Sequence, residues 1–174
     1  MKQHQYNFLD KEKAPKVLVE AIKLDGVQEI VGTKHNPIIM DWASELDLKD
    51  YKTDEIPWCG LFVAIVIKRA GFDVVKNPLW AANWSKFGTK QSEAHLFDIL
   101  VFKRPGGNHV GFYVGEDDTC YHVFGGNQSN KVSVTRIEKS RLTSIRRCDW
   151  KISEPKNIRK IILDSKGLIS NNES

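Results

Sequence analysis

The spacing of apolar positions along this chain changes period once, near residue 88. Before that point apolar residues recur at helical intervals. In residues 14–24, Val17, Leu18, Ala21 and Ile22 form one stripe, Pro15 suits the first turn and Asp25–Gly26 ends the helix. A second helix is expected after Asn36, which can cap it, with Pro37 at its first position and Ile38, Ile39 and Trp42 facing inward. A third falls within "DEIPWCGLFVAIVIKRAG", residues 54–71, with Pro57 at its first position and Gly71 just past its end. Every residue from Leu61 to Ile67 is apolar, and a helix apolar all round lies in the middle of a domain. A short fourth helix is predicted after Asn77 and Pro78, with Trp80 and Trp84 on one face.

After Gly88 the pattern alternates. Five strands are expected, at residues 97–104, 109–115, 120–126, 131–137 and 144–150, joined by short connections as an antiparallel meander. Closing Val114 and Thr119 into a hairpin sets Gly111 opposite His122 and His109 opposite Phe124, with both histidines on one sheet face. Helices first and strands second predict an α+β fold, in which a central buried helix carrying Cys59 packs on a C-terminal antiparallel sheet. Residues 1–13 read as a polar tail and 14–153 as one domain. Residues 154–174 read as an extension that starts as a helix at "EPKNIRK" and frays at "NNES".

Composition narrows the function classes. The chain has 174 residues, 41% of them hydrophobic and 28% charged, enough for one domain with a real core. No apolar run reaches the length of a membrane span, and "MKQHQYNFLDKEKAPK" lacks the apolar region of a secretory signal. The net charge is +4, from scattered basic residues with clusters at "SRLTSIRR" and "KNIRK". These read as solvated surface or as attraction to a polyanion, and no nucleic-acid-binding motif accompanies them. The three cysteines, Cys59, Cys120 and Cys148, fit neither a CxxC nor a zinc spacing, so no metal or cofactor is expected. Cys120 and Cys148 read as small core residues.

Cys59 is different because it stands at the head of the buried helix. A helix N-terminus lowers a thiol pKa, and its unpaired N–H groups can receive a developing oxyanion. A thiol nucleophile also needs a base. His109 opens a strand after the glycine-rich turn of "GGNHVGFYVG", where a side chain can project into a cleft. His122, mid-strand, reads as a core or supporting residue. A base is held by a third group, and Asn127 in "VFGGNQSN" is the candidate, with Gln128 able to replace it. Trp58, Trp80 and Trp84 are candidates for a substrate groove or for core packing. Glu29 reads as a groove carboxylate or as a structural hydrogen-bond acceptor.

Five segments in order carry a resemblance: Glu29–Gly32 with Asn36–Ile39, Trp58–Val63, Trp84–Gly88, His109–Gly115 and Gly125–Ser129. Together they resemble the CHAP family (cysteine, histidine-dependent amidohydrolase/peptidase), within the NlpC-type, papain-like fold group, and above all its subgroup in phage lysins and bacterial cell-wall hydrolases. The likeness spans residues 14–148. It implies a papain-like fold, a peptidoglycan substrate and a thioester mechanism, with Cys59 as nucleophile, His109 as base and Asn127 as the orienting residue. The activity implied is that of an N-acetylmuramoyl-L-alanine amidase or a peptidoglycan endopeptidase. Two positions depart from the pattern. Many members carry an acid where this chain has Gly125, and the usual Gly-Asp is Phe97–Asp98 here.

This reading predicts synthesis in the cytoplasm and action at the cell wall or periplasm, after release through a holin or delivery by a secretion machine. A delivered toxin would add an immunity protein as partner. A cysteine protease or deamidase acting on a protein, and a wall-binding module without catalysis, are the alternatives.

Overall fold

The computed structural model describes residues 4–32, 34–150, 153–167, 169–170 and 173. Its helices are α1 (Lys16–Ile22), α2 (Pro37–Glu45) and α3 (Cys59–Ala70). Its strands are β1 (Thr89–Lys90), β2 (Ile99–Arg104), β3 (Gly107–Glu116), β4 (Cys120–Gly125), β5 (Ser133–Glu138) and β6 (Leu142–Arg147). The class is mixed helix and sheet, with helices preceding one antiparallel sheet of order β1-β6-β2-β3-β4-β5.

Local chemistry explains the helices. Asn36 accepts the Ile38 N–H at 2.8 Å and caps α2, with Pro37 at its first position. Gly71 ends α3 at φ 89°, the left-handed conformation that favours glycine. Helix α3 begins two residues later than expected: Trp58 is its cap, Cys59 its first residue, and Pro57 stands outside. Residues Cys59 to Ile67 are all buried, as an all-apolar helix requires, and α3 packs against α1, α2 and the face of β3. Phe62 meets Phe112 of β3 edge-on at 6.0 Å, and Phe97 stacks on Phe112 at 5.1 Å. Cys120 and Cys148 are buried free thiols in the core.

The sheet departs from the sequence reading in two ways. Strands β2 to β5 form the expected meander, but β6 crosses back to pair with β2 instead of continuing from β5. The β3–β4 register pairs Phe112 with Phe124 and Gly115 with His122, with a bulge between Tyr113 and Gly115. That is three residues from the expected pairing at Phe124 and, past the bulge, four at His122; the odd slip at Phe124 exchanges faces. His122 therefore shares the helix-side face with Phe112 and Phe124, while His109 alternates with Val110 onto the other face. The short fourth helix expected after Asn77 and Pro78 is a 3-10 helix, Ala81–Lys86, with Trp80 in place of Asn77 at its cap.

Both ends are more engaged than expected. Residues His4–Lys11 form a 3-10 helix that buries Tyr6 and Leu9 in the core, so this stretch is not a tail. Residues 155–160 do not form a helix. Leu96 donates to the Arg159 carbonyl, Glu116 to the Ile161 carbonyl, and Leu163 back to Glu116, so the segment runs beside the end of β3 that β2 leaves unpaired. Backbone groups taken up this way are not available for helical bonds. Within the frayed end expected at "NNES", Asn171, Asn172 and Ser174 lie outside the described residues, as do residues 1–3 of the expected N-terminal tail.

Candidate functional site

Cys59 opens the first turn of α3, and its nearest electrostatic partner on the sheet is the Val110 amide, next in sequence to His109 at the start of β3. Residues 107–111 of β3 pair with β2 but not with β4, which leaves the N–H of Val110 open on that side. That N–H, one residue along the strand from His109, favours the charged form of the Cys59 thiol. The N–H groups of Cys59 itself and of Gly60, at the open end of α3, act in the same direction. Burial is the dominant influence on this thiol and pushes its pKa up; the amides and the Arg104 guanidinium act against burial without overcoming it. Cys59 is 4% exposed.

His109 is held through one ring nitrogen. Its Nε2 lies 3.1 Å from Gln128 Oε1. The orientation of the Gln128 amide is fixed, because its Nε2 donates to two carbonyls, Val123 at 3.2 Å and Ser133 at 2.6 Å. The oxygen must therefore face the imidazole, and His109 must carry its proton on Nε2. Nδ1 then bears the lone pair a general base uses. Burial lowers the His109 pKa to about 4. Glu173 and Gln128 favour the charged ring, and Arg104 and Arg141 disfavour it. In this covered state the thiol and the imidazole are both neutral.

Gln128, and not Asn127, makes the bond to His109. Asn127 is buried in the left-handed region at φ 55°, and its Oδ1 has no hydrogen-bond partner. Ser129 and Asn130 share that backbone region, at 54° and 62°, so the loop curls tightly and brings the Gln128 side chain under the imidazole. The same geometry accounts for Gly125. A Cβ there would stand 2.8 Å from Gln128 Oε1 and 3.3 Å from His109 Nε2, so an acid at this position is incompatible with the Gln128–His109 pair.

The tryptophans divide. Trp58 and Trp84 are fully buried and so cannot line a groove; their N–H groups donate to Glu29 Oε2 at 3.1 Å and to the Pro78 carbonyl at 2.9 Å. Glu29 thus has the structural role. Trp80 is 72% exposed, next to the Pro78–Leu79 backbone that packs on Gly60, and is the one tryptophan of the three available to a substrate. On the other side of α3's start, buried Asp54 accepts the Asn36 N–H at 2.8 Å, the Ile30 N–H at 3.2 Å and faces His35 Nδ1 at 3.0 Å. Burial opposes the charge on Asp54, but these donors together hold its pKa below the usual carboxylate range.

Three charged residues near His109 were not singled out by sequence. Arg104 ends β2, where its Nε donates to the Asn108 carbonyl at 3.3 Å. Arg141 precedes β6 and grips Glu173 with both arms, at 2.8 and 2.7 Å. Arg141 appeared in the sequence only within the basic run "SRLTSIRR", Arg104 as the end of an expected strand and Glu173 within the polar "NNES", none of which marks a site. Among the described residues, no group of three or more His, Cys, Asp or Glu side chains stands ready to hold a metal ion. Nor is any helix among them long and apolar enough to cross a membrane. A cavity of about 360 Å³ lies behind Gln128, lined by Tyr6, Lys131, Thr135 and Arg136; neither Cys59 nor His109 borders it. Compared with known proteins, the chain matches no family model and no curated sequence.

Proposed function

We propose that this protein is a cysteine-dependent amide hydrolase of papain-like fold that acts on bacterial peptidoglycan. The observation that carries the reading is the sequence Cys59 thiol, Val110 amide, His109, Gln128. It supplies a sulfur at a helix N-terminus, near the amide next in sequence to a histidine whose Nε2 is pinned by a neutral amide. The order of the five motif segments and the net charge of +4, suited to an anionic wall polymer, support the substrate class.

In the proposed reaction His109 Nδ1 takes the Cys59 proton as sulfur attacks an amide carbonyl. The first-turn N–H groups around Cys59 receive the oxyanion. The His109 proton passes to the leaving amine as the C–N bond breaks and a thioester remains. Water, deprotonated by His109, then releases the acid and restores the thiol. The site of action is the cell wall, reached after release or delivery from the producing cell.

The test is mass spectrometry of purified peptidoglycan digested with wild-type protein and with Cys59→Ala. A new L-alanine amine marks an amidase; cut stems or cross-links mark an endopeptidase. Either product is expected from wild type and absent from Cys59→Ala. Intact muropeptides from thin- and thick-walled sources alike would turn the reading toward a protein substrate. Products that persist in Cys59→Ala would remove the nucleophile assignment.

A further inference from the structure

The reacting pair is closed off, and what closes it is chemically specific. His109 is 1% exposed, and so is Glu173, whose carboxylate is clasped by Arg141. The sheet register explains how these groups converge. His109 on β3 stands opposite Phe102 on β2, and Phe102 stands opposite Leu142 on β6. Arg141 precedes Leu142, so its backbone is about 10 Å from that of His109, two strand spacings away. Arg141 is anchored at this end by its Nε, which donates to the Lys103 carbonyl at 2.8 Å. Arg104, from the same end of β2, acts electrostatically on both Cys59 and His109. A buried carboxylate thus lies against a two-armed guanidinium, within electrostatic reach of the imidazole.

From this geometry we infer that Arg141, supported by Arg104, is a carboxylate-recognising subsite beside Cys59 and His109, and that Glu173 is its occupant within the chain itself. The inference rests on the reading of Cys59 and His109 as the reacting pair. It narrows the substrate to peptides that carry a free carboxylate close to the amide that is cut. Such a substrate displaces Glu173 from Arg141 and from its place within reach of His109, which opens the approach to the site, so the chain's own carboxylate competes with substrate. The bidentate fork is the reason for assigning a planar carboxylate over a diffuse polyanion.

The experiment measures the rate at which iodoacetamide alkylates Cys59, by mass spectrometry, and needs no turnover. The probes are N-acetyl-D-alanine and its amide, which differ in the carboxylate alone. In Glu173→Gln the thiol is expected to alkylate about tenfold faster than in wild type, the loss of one charge-assisted pair. N-acetyl-D-alanine is expected to slow that reaction, at concentrations about tenfold below those needed in wild type; the amide is expected to do nothing. Adding Arg141→Met to Glu173→Gln should abolish the preference for the acid. Arg141→Lys, which keeps the charge and the stem but not the fork, should weaken it and guards against a misfolded Met variant. Equal protection by acid and amide, no protection of Glu173→Gln, or an undiminished preference in the Arg141 variants overturns the subsite. If the acid protects but peptidoglycan is not cut, the subsite stands and the wall substrate falls; cutting without acid-specific protection is the reverse.

Discussion

His109 shows how one residue's surroundings set both its chemistry and its cost. The main influences on it among the described residues are burial, Glu173 as a negative charge, Gln128 at Nε2, and Arg104 and Arg141 as positive charges. Burial prevails and lowers the pKa from 6.5 to about 4. A base with a depressed folded-state pKa contributes no penalty above pH 6.5, where both folded and unfolded chains are neutral. Between 6.5 and 4 the unfolded chain takes up a proton that the folded chain refuses. Stability from this residue is therefore complete above pH 6.5, falls as pH drops toward 4, and the loss amounts to about 3 kcal/mol. Urea unfolding at a series of pH values should show a steeper acid decline for wild type than for His109→Asn across that window. Parallel curves would mean that the imidazole is better solvated, or better paired, than its burial implies. Cys59 and His109 could be singled out because each sits beside a local signal, a helix start and a glycine-rich strand start, and the structure keeps both at those places. The choice between Asn127 and Gln128 was not, because it depends on three left-handed residues whose combined turn no single-residue preference specifies.

The decisive unit at the scale of elements is the junction of α3 with the loop that follows it. Gly60 exists where it does because the Pro78 and Leu79 carbonyls cross the first turn of α3. A Cβ on Gly60 would lie 2.2 Å from the first oxygen and 2.8 Å from the second. Both are backbone atoms, so no rotamer change relieves the clash. Gly60→Ala is expected to destabilise by about 1–3 kcal/mol through forced separation of helix and loop. Because Cys59 and Trp80 flank that contact, the rate of Cys59 alkylation should change with it. A melting temperature within error of wild type would show that the loop yields freely. Helix α2, helix α3 and strands β2 to β5 were each visible as a period or a cap, since those depend on neighbours in sequence. The crossing of β6 to β2 and the bulge at Tyr113 to Gly115 were not, since they are settled by which faces can be buried together. The register matters to the reading of the site: pairing Phe112 with Phe124 puts His122 on the helix side and leaves His109 on the other face.

For the molecule as a whole, one buried carboxylate ties the ends of the chain to the sheet. Asp117, in the β3–β4 connection, accepts from Arg136 Nε at 2.8 Å, His122 Nε2 at 2.9 Å, and the Thr119 and Cys120 amides at 2.9 and 3.0 Å. Since His122 gives its Nε2 proton to Asp117, its Nδ1 is an acceptor, and the Tyr6 hydroxyl donates to it at 2.7 Å. Arg136 extends the network to the other end: its Nη1 donates to the Gly167 carbonyl, and its own carbonyl accepts the Ser170 N–H. The N-terminal 3-10 helix and the segment that carries Glu173 are thus fastened to the same charge. No sequence signal connected these positions, because Tyr6, Asp117, His122, Arg136 and Gly167 share neither period nor motif. Asp117→Ala leaves a buried guanidinium unpaired and should cost about 3–5 kcal/mol in urea unfolding. Tyr6→Phe removes one neutral hydrogen bond and should cost about 1 kcal/mol. The coupling to the site gives a second measurement. With Arg136 released, the segment holding Glu173 over His109 loses an anchor, so Cys59 in Asp117→Ala should alkylate faster under conditions where the protein remains folded. Tyr6→Phe leaves the Asp117–Arg136 pair intact and should not accelerate it. If Asp117→Ala costs less than about 1 kcal/mol, or if both variants alkylate at the wild-type rate, the network is local packing and does not reach the site.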